Sequence, residues 1–386
     1  MASGKIRMGM IGGGKNAFIG AVHRIAANID GLIELSCGAL SSNPETAKAS
    51  GRDLFLPESR NYGSYKEMIE SEARLPEDQR MHFVSIVTPN FAHFEPAMMA
   101  LEHGFHVVID KPITLSLEEA KKLEAKVQET GLLLCLTHTY SGYPMVKQAR
   151  QMVKEGKFGK IRKVCVEYPQ GWLSLPSEKE GNQQAAWRTD PAKSGKAGCM
   201  GDIGTHAAQL AEYISGLEIT QLCADLNRVV EDRLLDDDGN ILLKFNNGAN
   251  GLLMASQIAA GEENALFIRV YGEKGGLEWH QEEPNTLQVK WLDAPSQRYR
   301  AGQGYLSSFA KHNCRTPAGH PEGYLEAFAN IYRNFALTLN CHLNGTEPSA
   351  EMLDFPGAAE GVRGMAFIEN AVASGQSDQK WFDFKI

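Results

Sequence analysis

Through the first part of the chain, short apolar runs alternate with helical patterns. Lys5 to Ile11 reads as a strand that breaks at once into Gly12-Gly13-Gly14, and Phe18, Ile19, Val22, Ile25 and Ala26 follow at helical spacing. A second strand covers Leu32 to Leu40, and a helical pattern starts at Pro44. Phe83 to Val87 is a third apolar run, ending at Thr88-Pro89-Asn90. Residues 95–103 predict a helix, His106 to Ile109 a strand, 116–129 a charged helix and Leu132 to Leu136 a last strand. Strands alternating with helices predict parallel βαβ units with right-handed crossovers, hence a doubly wound α/β domain over residues 1–137.

Beyond residue 138 the texture changes. A helix at Met145 to Glu155 and a strand at Ile161 to Tyr168 precede a long polar excursion, 174–198, without a clear period. Residues 202–215 predict a helix, and strand-like runs follow at 218–230, 241–246, 250–259, 266–271, 276–280 and 286–292. Residues 138–386 therefore read as an α+β domain with a large, open, mainly antiparallel sheet, and a helix at about 356–374 is expected to pack back on the first domain. Asp236-Asp237-Asp238-Gly239-Asn240 has the look of a calcium loop, but its glycine is misplaced and no glutamate closes it, so a hairpin turn is expected.

Composition narrows the function classes. The chain has 386 residues, 43% hydrophobic and 22% charged, with a net charge of −8. That balance suits a folded protein of two domains and disfavours a nucleic-acid binder, which needs clustered Lys and Arg. No apolar run is long enough for a membrane-spanning helix and the start lacks an apolar signal core, so a cytoplasmic protein without a membrane partner is expected. The seven cysteines are spread out with no Cys-x-x-Cys, which predicts free thiols and no metal cage.

Three groups of residues carry chemistry. Gly12-x-Gly14-x-x-Ala17 lies between a strand and a helix, where glycines admit a pyrophosphate close to the backbone and the helix N-terminus supplies partial positive charge. The end of the second strand, where an acid would hold NAD ribose and an arginine the phosphate of NADP, is neutral: Ser41, Ser42, Asn43. NAD and NADP both stay open on these residues, with the missing arginine favouring NAD. Thr88-Pro89-Asn90-x-x-His93 and Asp110-Lys111-Pro112 sit at strand ends, where open α/β sheets bind ligands; by itself the latter also fits a turn with a surface salt bridge. In Gly201-Asp202-Ile203-Gly204-Thr205-His206, a helix would put Asp202 and His206 on one face, so that a carboxylate orients an imidazole suited to acid–base work, and the two glycines argue against a purely structural helix start.

With Trp187-Arg188 between the second and third groups, the order of motifs resembles the glucose–fructose oxidoreductase / inositol dehydrogenase / MocA family over nearly the full length. The family's usual Glu-Lys-Pro stands here as Asp110-Lys111-Pro112. The resemblance implies a nicotinamide-dependent dehydrogenase acting on a sugar, polyol or cyclic sugar derivative. Within the family it is nearest to levoglucosan, glucoside 3- and inositol dehydrogenases. Carried over by position, Lys111, Asp202 and His206 would be catalytic, with Lys111 and His206 exchanging a proton with a secondary hydroxyl as hydride leaves its carbon. Gly12, Gly14, Lys15, Asn16, Ala17, Ser41, Ser42, Thr88, Asn90, His93, Asp110, Lys111, Trp187 and Arg188 would line the cofactor. Lys111, His138, Tyr140, Trp172, Asp202 and His206 would meet the substrate, with Tyr143 nearby; His320, in Gly319-His320-Pro321-Glu322-Gly323, is either a substrate contact or part of a helix-entry turn. A homodimer or homotetramer through the C-terminal sheet is expected, because a broad open sheet leaves an apolar face. Two other readings remain: a glycoside-cleaving enzyme using NAD for transient oxidation and elimination, and a non-catalytic dinucleotide-binding sensor.

Overall fold

In the computed structural model, which describes residues 4–15 and 17–386, the apolar runs of the first part form β1 (Ile6–Gly12), β2 (Ile33–Ala39), β3 (Phe83–Val87), β4 (His106–Ile109) and β5 (Leu134–Leu136). Between them lie α1 (Phe18–Asn28), α2 (Pro44–Asp53), α3 (Tyr65–Ala73), α4 (Phe94–Glu102) and α5 (Leu117–Thr130). The later chain forms α6 (Pro144–Lys154), β6 (Ile161–Pro169), the short helices α7 (Gln183–Arg188) and α8 (Pro191–Ser194), and a π-helical turn at Met200–Gly204 that runs into α9 (Thr205–Ser215). Then follow β7 (Ile219–Asn227), β8 (Asp238–Phe245), β9 (Asn250–Ser256), β10 (Phe267–Gly272), β11 (Gly275–His280), β12 (Thr286–Trp291) and β13 (Gln297–Arg300). The chain ends with α10 (Ser308–His312), α11 (Tyr324–Asn344), α12 (Ala358–Gly375) and β14 (Phe382–Asp383).

The chain divides into two units, Met1–Thr139 with Tyr324–Val362, and Tyr140–Gly323 with Arg363–Ile386. In the first, all strands are parallel in the order β2-β1-β3-β4-β5. Strand order reverses between β1 and β3, where Gly12 pairs with Val87, so the glycine loop and Thr88 flank the crevice in which such sheets bind ligands.

A single boundary at residue 137 does not describe this division. The segment that returns to the first unit begins at Tyr324 rather than at about 356, and the division falls inside α12, between Val362 and Arg363. The physical reason is that a parallel sheet needs both faces covered. The stripe Phe328, Tyr332, Phe335 and Leu339 of α11 joins Met8, Met10, Phe83 and Val87 of the sheet and Val22 and Ala26 of α1 in one buried cluster. The rings of Phe83 and Phe335 meet edge to face, 5.0 Å apart.

The second unit holds a nine-stranded sheet in the order β13-β12-β11-β10-β6-β9-β8-β7-β14, in which β6 and β9 are the parallel pair. Alternation along β8 buries Gly239, Ile241, Leu243 and Phe245 on the face covered by helices and leaves Leu242 on the other. The strands β13 and β14 have no counterpart in the strand pattern of the sequence; they are four and two residues long and form the two sheet edges.

Two histidines of the first unit are committed as acceptors. His106 Nδ1 takes the N–H of Leu133 at 2.9 Å and His82 Nδ1 that of Arg7 at 2.9 Å. Burial lowers their pKa values to about 3 and about 4 respectively, with His342 and His82 adding to the effect at His106, and Arg7 and Arg80 at His82. An unfolded histidine titrates near ~6.5, so below that pH the unfolded chain binds more protons than the folded one. This contribution to stability is complete above about pH 6.5 and is lost as pH falls toward the folded values. Denaturant midpoints of the parent protein should therefore fall from pH 7 to pH ~4.5, and less steeply in His106→Asn; equal slopes in the two proteins would refute the assignment to His106.

Candidate functional site

In the first unit the glycine loop is shaped by what it must approach. Gly12 has φ 79°, and at Gly14 a Cβ would lie 2.5 Å from the Leu40 carbonyl and 2.7 Å from Ser50 Oγ. Gly14 N–H donates to Leu40 O at 3.0 Å and Lys15 N–H to Ser50 Oγ at 3.0 Å, which ties the loop to β2 and α2. Helices α2, α3 and α5 are capped by the side chains of Asn43, Ser64 and Ser116, whereas α1 has no side-chain cap and no acid in its first turn. Its first N–H groups are thus available to an anion, and a bare glycine cradle beneath a helix N-terminus fits a dinucleotide pyrophosphate. A cleft of about 460 Å³ runs alongside, lined by Gly14, Lys15, Ala17, Arg24, Ser50 and Asp53 among others. Lys15 Nζ lies 3.4 Å from Asp53, both side chains being exposed. Asn16 lies outside the described residues. Ser42 is exposed, and Ser41 Oγ accepts the Asn43 N–H at 3.2 Å.

The strand-end motifs divide their labour. His93 is fully buried and its ring nitrogens lie 2.8 Å from the carbonyls of Thr88 and Pro112, so it fastens the Thr88 loop to the Lys111 loop. Burial lowers its pKa below the ordinary imidazole range, against the pull of Asp110 and of the two carbonyls. Thr88 Oγ1 donates to Ala92 O at 2.9 Å, and Asn90 is buried. Asp110 Oδ1 accepts the Lys111 N–H at 2.9 Å and Thr137 Oγ1 at 2.8 Å, while His23 Nε2 faces Oδ2 at 3.9 Å. Burial alone would raise the Asp110 pKa; His23, Lys111 and His93 outweigh it and hold the carboxyl below its ordinary range. Asp110 is thus a built-in partner of the lysine loop rather than a surface turn residue. His138 is buried, and burial together with the Lys111 charge lowers its pKa to about 3.

The second unit gathers the other set. The expected α-helical start at 202 is a π-helical turn, a wider coil often found at functional positions, and a Cβ on Gly204 would lie 2.6 Å from Met200 Sδ. From this turn Asp202 Oδ2 accepts Arg188 Nε at 3.1 Å and Gln257 Nε2 at 2.9 Å. Arg188 lies 4.2 Å from the centre of the Trp187 ring and 5.7 Å from that of Trp172, and it also donates to Gln184 Oε1 at 2.8 Å. The structureless excursion of the sequence is thus anchored on Asp202. His206, one turn on, meets the Tyr140 ring edge to face with centres 4.8 Å apart. The Tyr140 hydroxyl pairs with that of Tyr168 and accepts Asn264 Nδ2 at 3.3 Å. Asn264 Oδ1 accepts the hydroxyl of Tyr168 at 2.7 Å and Gln170 Nε2 at 2.6 Å, and Trp172 Nε1 donates to Gln170 Oε1 at 3.1 Å. Tyr143 is buried and its hydroxyl accepts Gln281 Nε2 at 3.2 Å.

Gln257, Gln170, Tyr168 and Asn264 escaped the sequence reading, since each is an isolated polar residue brought in by sheet register. His320 is exposed on a turn, its N–H donating to Pro317 O at 3.2 Å. The organising residue there is Glu322, whose carboxylate takes the N–H groups of Arg315 and Thr316 at 2.5 and 2.7 Å. Cys199 is fully buried, and burial with the nearby aspartates raises its pKa well above the thiol range, so it is no nucleophile.

Comparison with known proteins agrees with both halves. Residues 6–138 match a family model described as "Oxidoreductase family, NAD-binding Rossmann fold", and residues 146–278 match the GFO/IDH/MocA C-terminal domain. The oxidoreductase YfiI of Bacillus subtilis is 32% identical over 98% of this chain and 97% of its own. Levoglucosan dehydrogenase of Pseudarthrobacter phenanthrenivorans is 25% identical over 98% of each chain. The crystal structure of an inositol dehydrogenase homologue from Azotobacter vinelandii complexed with NAD+ superposes with a TM-score of 0.94, at 35% identity, covering 99% of this chain and 98% of that one. With a glycine cradle suited to a dinucleotide, matched domains in both halves and full-length relatives, the chain belongs to the GFO/IDH/MocA oxidoreductase family and carries its NAD-binding Rossmann fold.

Proposed function

We propose that the protein oxidises a secondary hydroxyl of a sugar, polyol or cyclic sugar derivative, with Lys111 and His206 handling the proton. The observation that carries this is the grouping in the second unit: Asp202 bound by Arg188 and Gln257, and His206 against Tyr140 among amide and hydroxyl groups of the kind that bind polyols. The relatives point the same way: levoglucosan dehydrogenase, scyllo-inositol 2-dehydrogenase of Bacillus subtilis, and the Azotobacter vinelandii homologue crystallised with NADH and myo-inositol. Bound NAD supplies the hydride acceptor. The glycines Gly12 and Gly14 with Ala17 would hold its pyrophosphate, Ser41 and Ser42 its ribose, and Thr88, Asn90 and Asp110 would lie toward its nicotinamide. Neutral residues after β2, with no arginine among them, favour NAD over NADP.

In this reading Lys111 donates a hydrogen bond to the reacting hydroxyl and His206 takes its proton, so that negative charge never builds up on the oxygen. Asp202, fixed by Arg188 and Gln257, accepts a neighbouring substrate hydroxyl or orients His206; Tyr140, His138 and Trp172 bound the sugar. The reading includes assembly: Leu242 is 46% exposed on the face of the nine-stranded sheet away from the helices, and a second copy of the chain covers that face.

Three measurements test it. Nicotinamide absorbance followed with NAD+ and NADP+ against pyranosides, anhydrosugars and inositols should show reduction of NAD+ by one sugar class; no reduction across the panel sinks the proposal. His206→Ala should lose about 10²–10⁴-fold in kcat, and Lys111→Met should lose most turnover while still quenching its fluorescence with NADH, whereas full turnover in either variant removes that residue from the mechanism. Sedimentation of Leu242→Asp should show a smaller species than the parent; identical behaviour excludes this face as the contact.

A further inference from the structure

Two of the three aspartates expected in a hairpin turn, Asp236 and Asp237, do something more specific. Asp236 Oδ1 accepts the N–H of Gly198 at 2.7 Å, Oδ2 that of Met200 at 2.7 Å, and the Asp236 carbonyl that of Cys199 at 2.8 Å. One residue therefore takes three consecutive N–H groups at the start of the π-helical turn that presents Asp202 and His206, donors that would otherwise be orphaned at a buried helix start. The next residue works in parallel. Asp237 accepts the N–H groups of Val229 and Val230 at 2.8 and 2.9 Å, and its carbonyl accepts the N–H of Gln257 at 2.9 Å, the residue whose amide holds Asp202. Asp237 also takes Arg233 Nη1 at 3.1 Å, and Arg233 continues to Glu178 and the Leu175 carbonyl, at the root of the excursion that carries Trp187 and Arg188.

Burying two adjacent carboxylates is costly, and Asp236 meets its cost with backbone N–H groups alone among its hydrogen bonds. Burial and the charge of Asp237 push its carboxyl above the ordinary range against the pull of those donors. An asparagine would be the cheaper residue if filling the space were all that mattered. It cannot replace Asp236, because both oxygens accept, and an amide NH₂ would face an N–H donor. The close approach is matched from the other side: at Gly198 a Cβ would lie 2.3 Å from Asp236 O.

We propose that Asp236 is a positioning residue for the reaction, holding the π-helical turn so that Asp202 and His206 keep their places. The inference rests on the roles proposed above for those two residues.

The test compares Asp236→Asn with Asp238→Asn, which removes the same charge two residues on, from a side chain whose contact is Asn227 Nδ2 at 3.5 Å. With circular dichroism confirming the fold, Asp236→Asn should lose about 10- to 100-fold in kcat with KM for NAD+ unchanged, and the limb of the kcat–pH profile due to His206 should shift; Asp238→Asn should match the parent in all three. Parental kcat and pH profile in folded Asp236→Asn overturn the proposal, because a residue that only stabilises leaves them unmoved well below the melting temperature. Should Asp236→Asn not fold, Gly198→Ala disturbs the same contact from its other partner. A comparable kcat loss there supports the proposal; parental kcat, or failure to fold, overturns it in favour of general stabilisation. His206→Ala runs alongside: parental activity in it overturns the underlying reading and this inference together, while loss in it with parental Asp236→Asn overturns this inference alone.

Discussion

Buried backbone polar groups need partners, and the candidate site is organised by how they find them. At α1 no side chain among the described residues caps the first turn, which leaves donors for an anion. At the π-helical turn the opposite holds, since Asp236 consumes the N–H groups of Gly198, Cys199 and Met200. Between β3 and β4 the ring of His93 reaches the carbonyls of Thr88 and Pro112, and Asp110 reaches back to the N–H of its own neighbour Lys111. The last two contacts fix the loops after β3 and β4, at the strand ends where open α/β sheets bind ligands.

What the sequence made legible follows from what is local. The β1–glycine–α1 series, the alternation through β5 and the strands β7 to β12 are periodic within themselves, so the pattern alone reveals them. The motifs at Thr88, Asp110 and Asp202 were found because each is a compact string beside a strand or helix. The π-helical turn was read as α-helix because four-residue spacing does not distinguish the two. The helix-entry turn at His320 announces α11, but nothing in Phe328, Tyr332 and Phe335 says which sheet they cover. Gln257 and Asn264 are single polar residues whose meaning depends on register, as when the pairing of Asp238 with Ser256 carries Gln257 to the Asp237 carbonyl.

His93 shows what burial adds to a motif position. Its place in Thr88-Pro89-Asn90-x-x-His93 suggested a residue lying along a cofactor, yet its ring is enclosed and bonded to backbone on both sides. Glu322 and His320 repeat the lesson: the exposed histidine drew notice, while the buried glutamate two residues on holds the turn. In both places burial marks the side chain that holds the backbone: His93 in the one, Glu322 rather than His320 in the other.

The return of residues 324–362 to the first unit has a consequence for how the chain is made. Synthesis proceeds from the N-terminus, and the five parallel strands leave the ribosome long before α11 exists. Until Phe328, Tyr332 and Phe335 are translated, the sheet face formed by Met8, Met10, Phe83 and Val87 has α1 against it but lacks the share of its cover that α11 supplies. The entire segment from Tyr140 to Gly323 must emerge in the interval, so it can close its own nine-stranded core while the earlier unit waits. The first unit can therefore complete its core only after the segment from Tyr140 to Gly323 has been made.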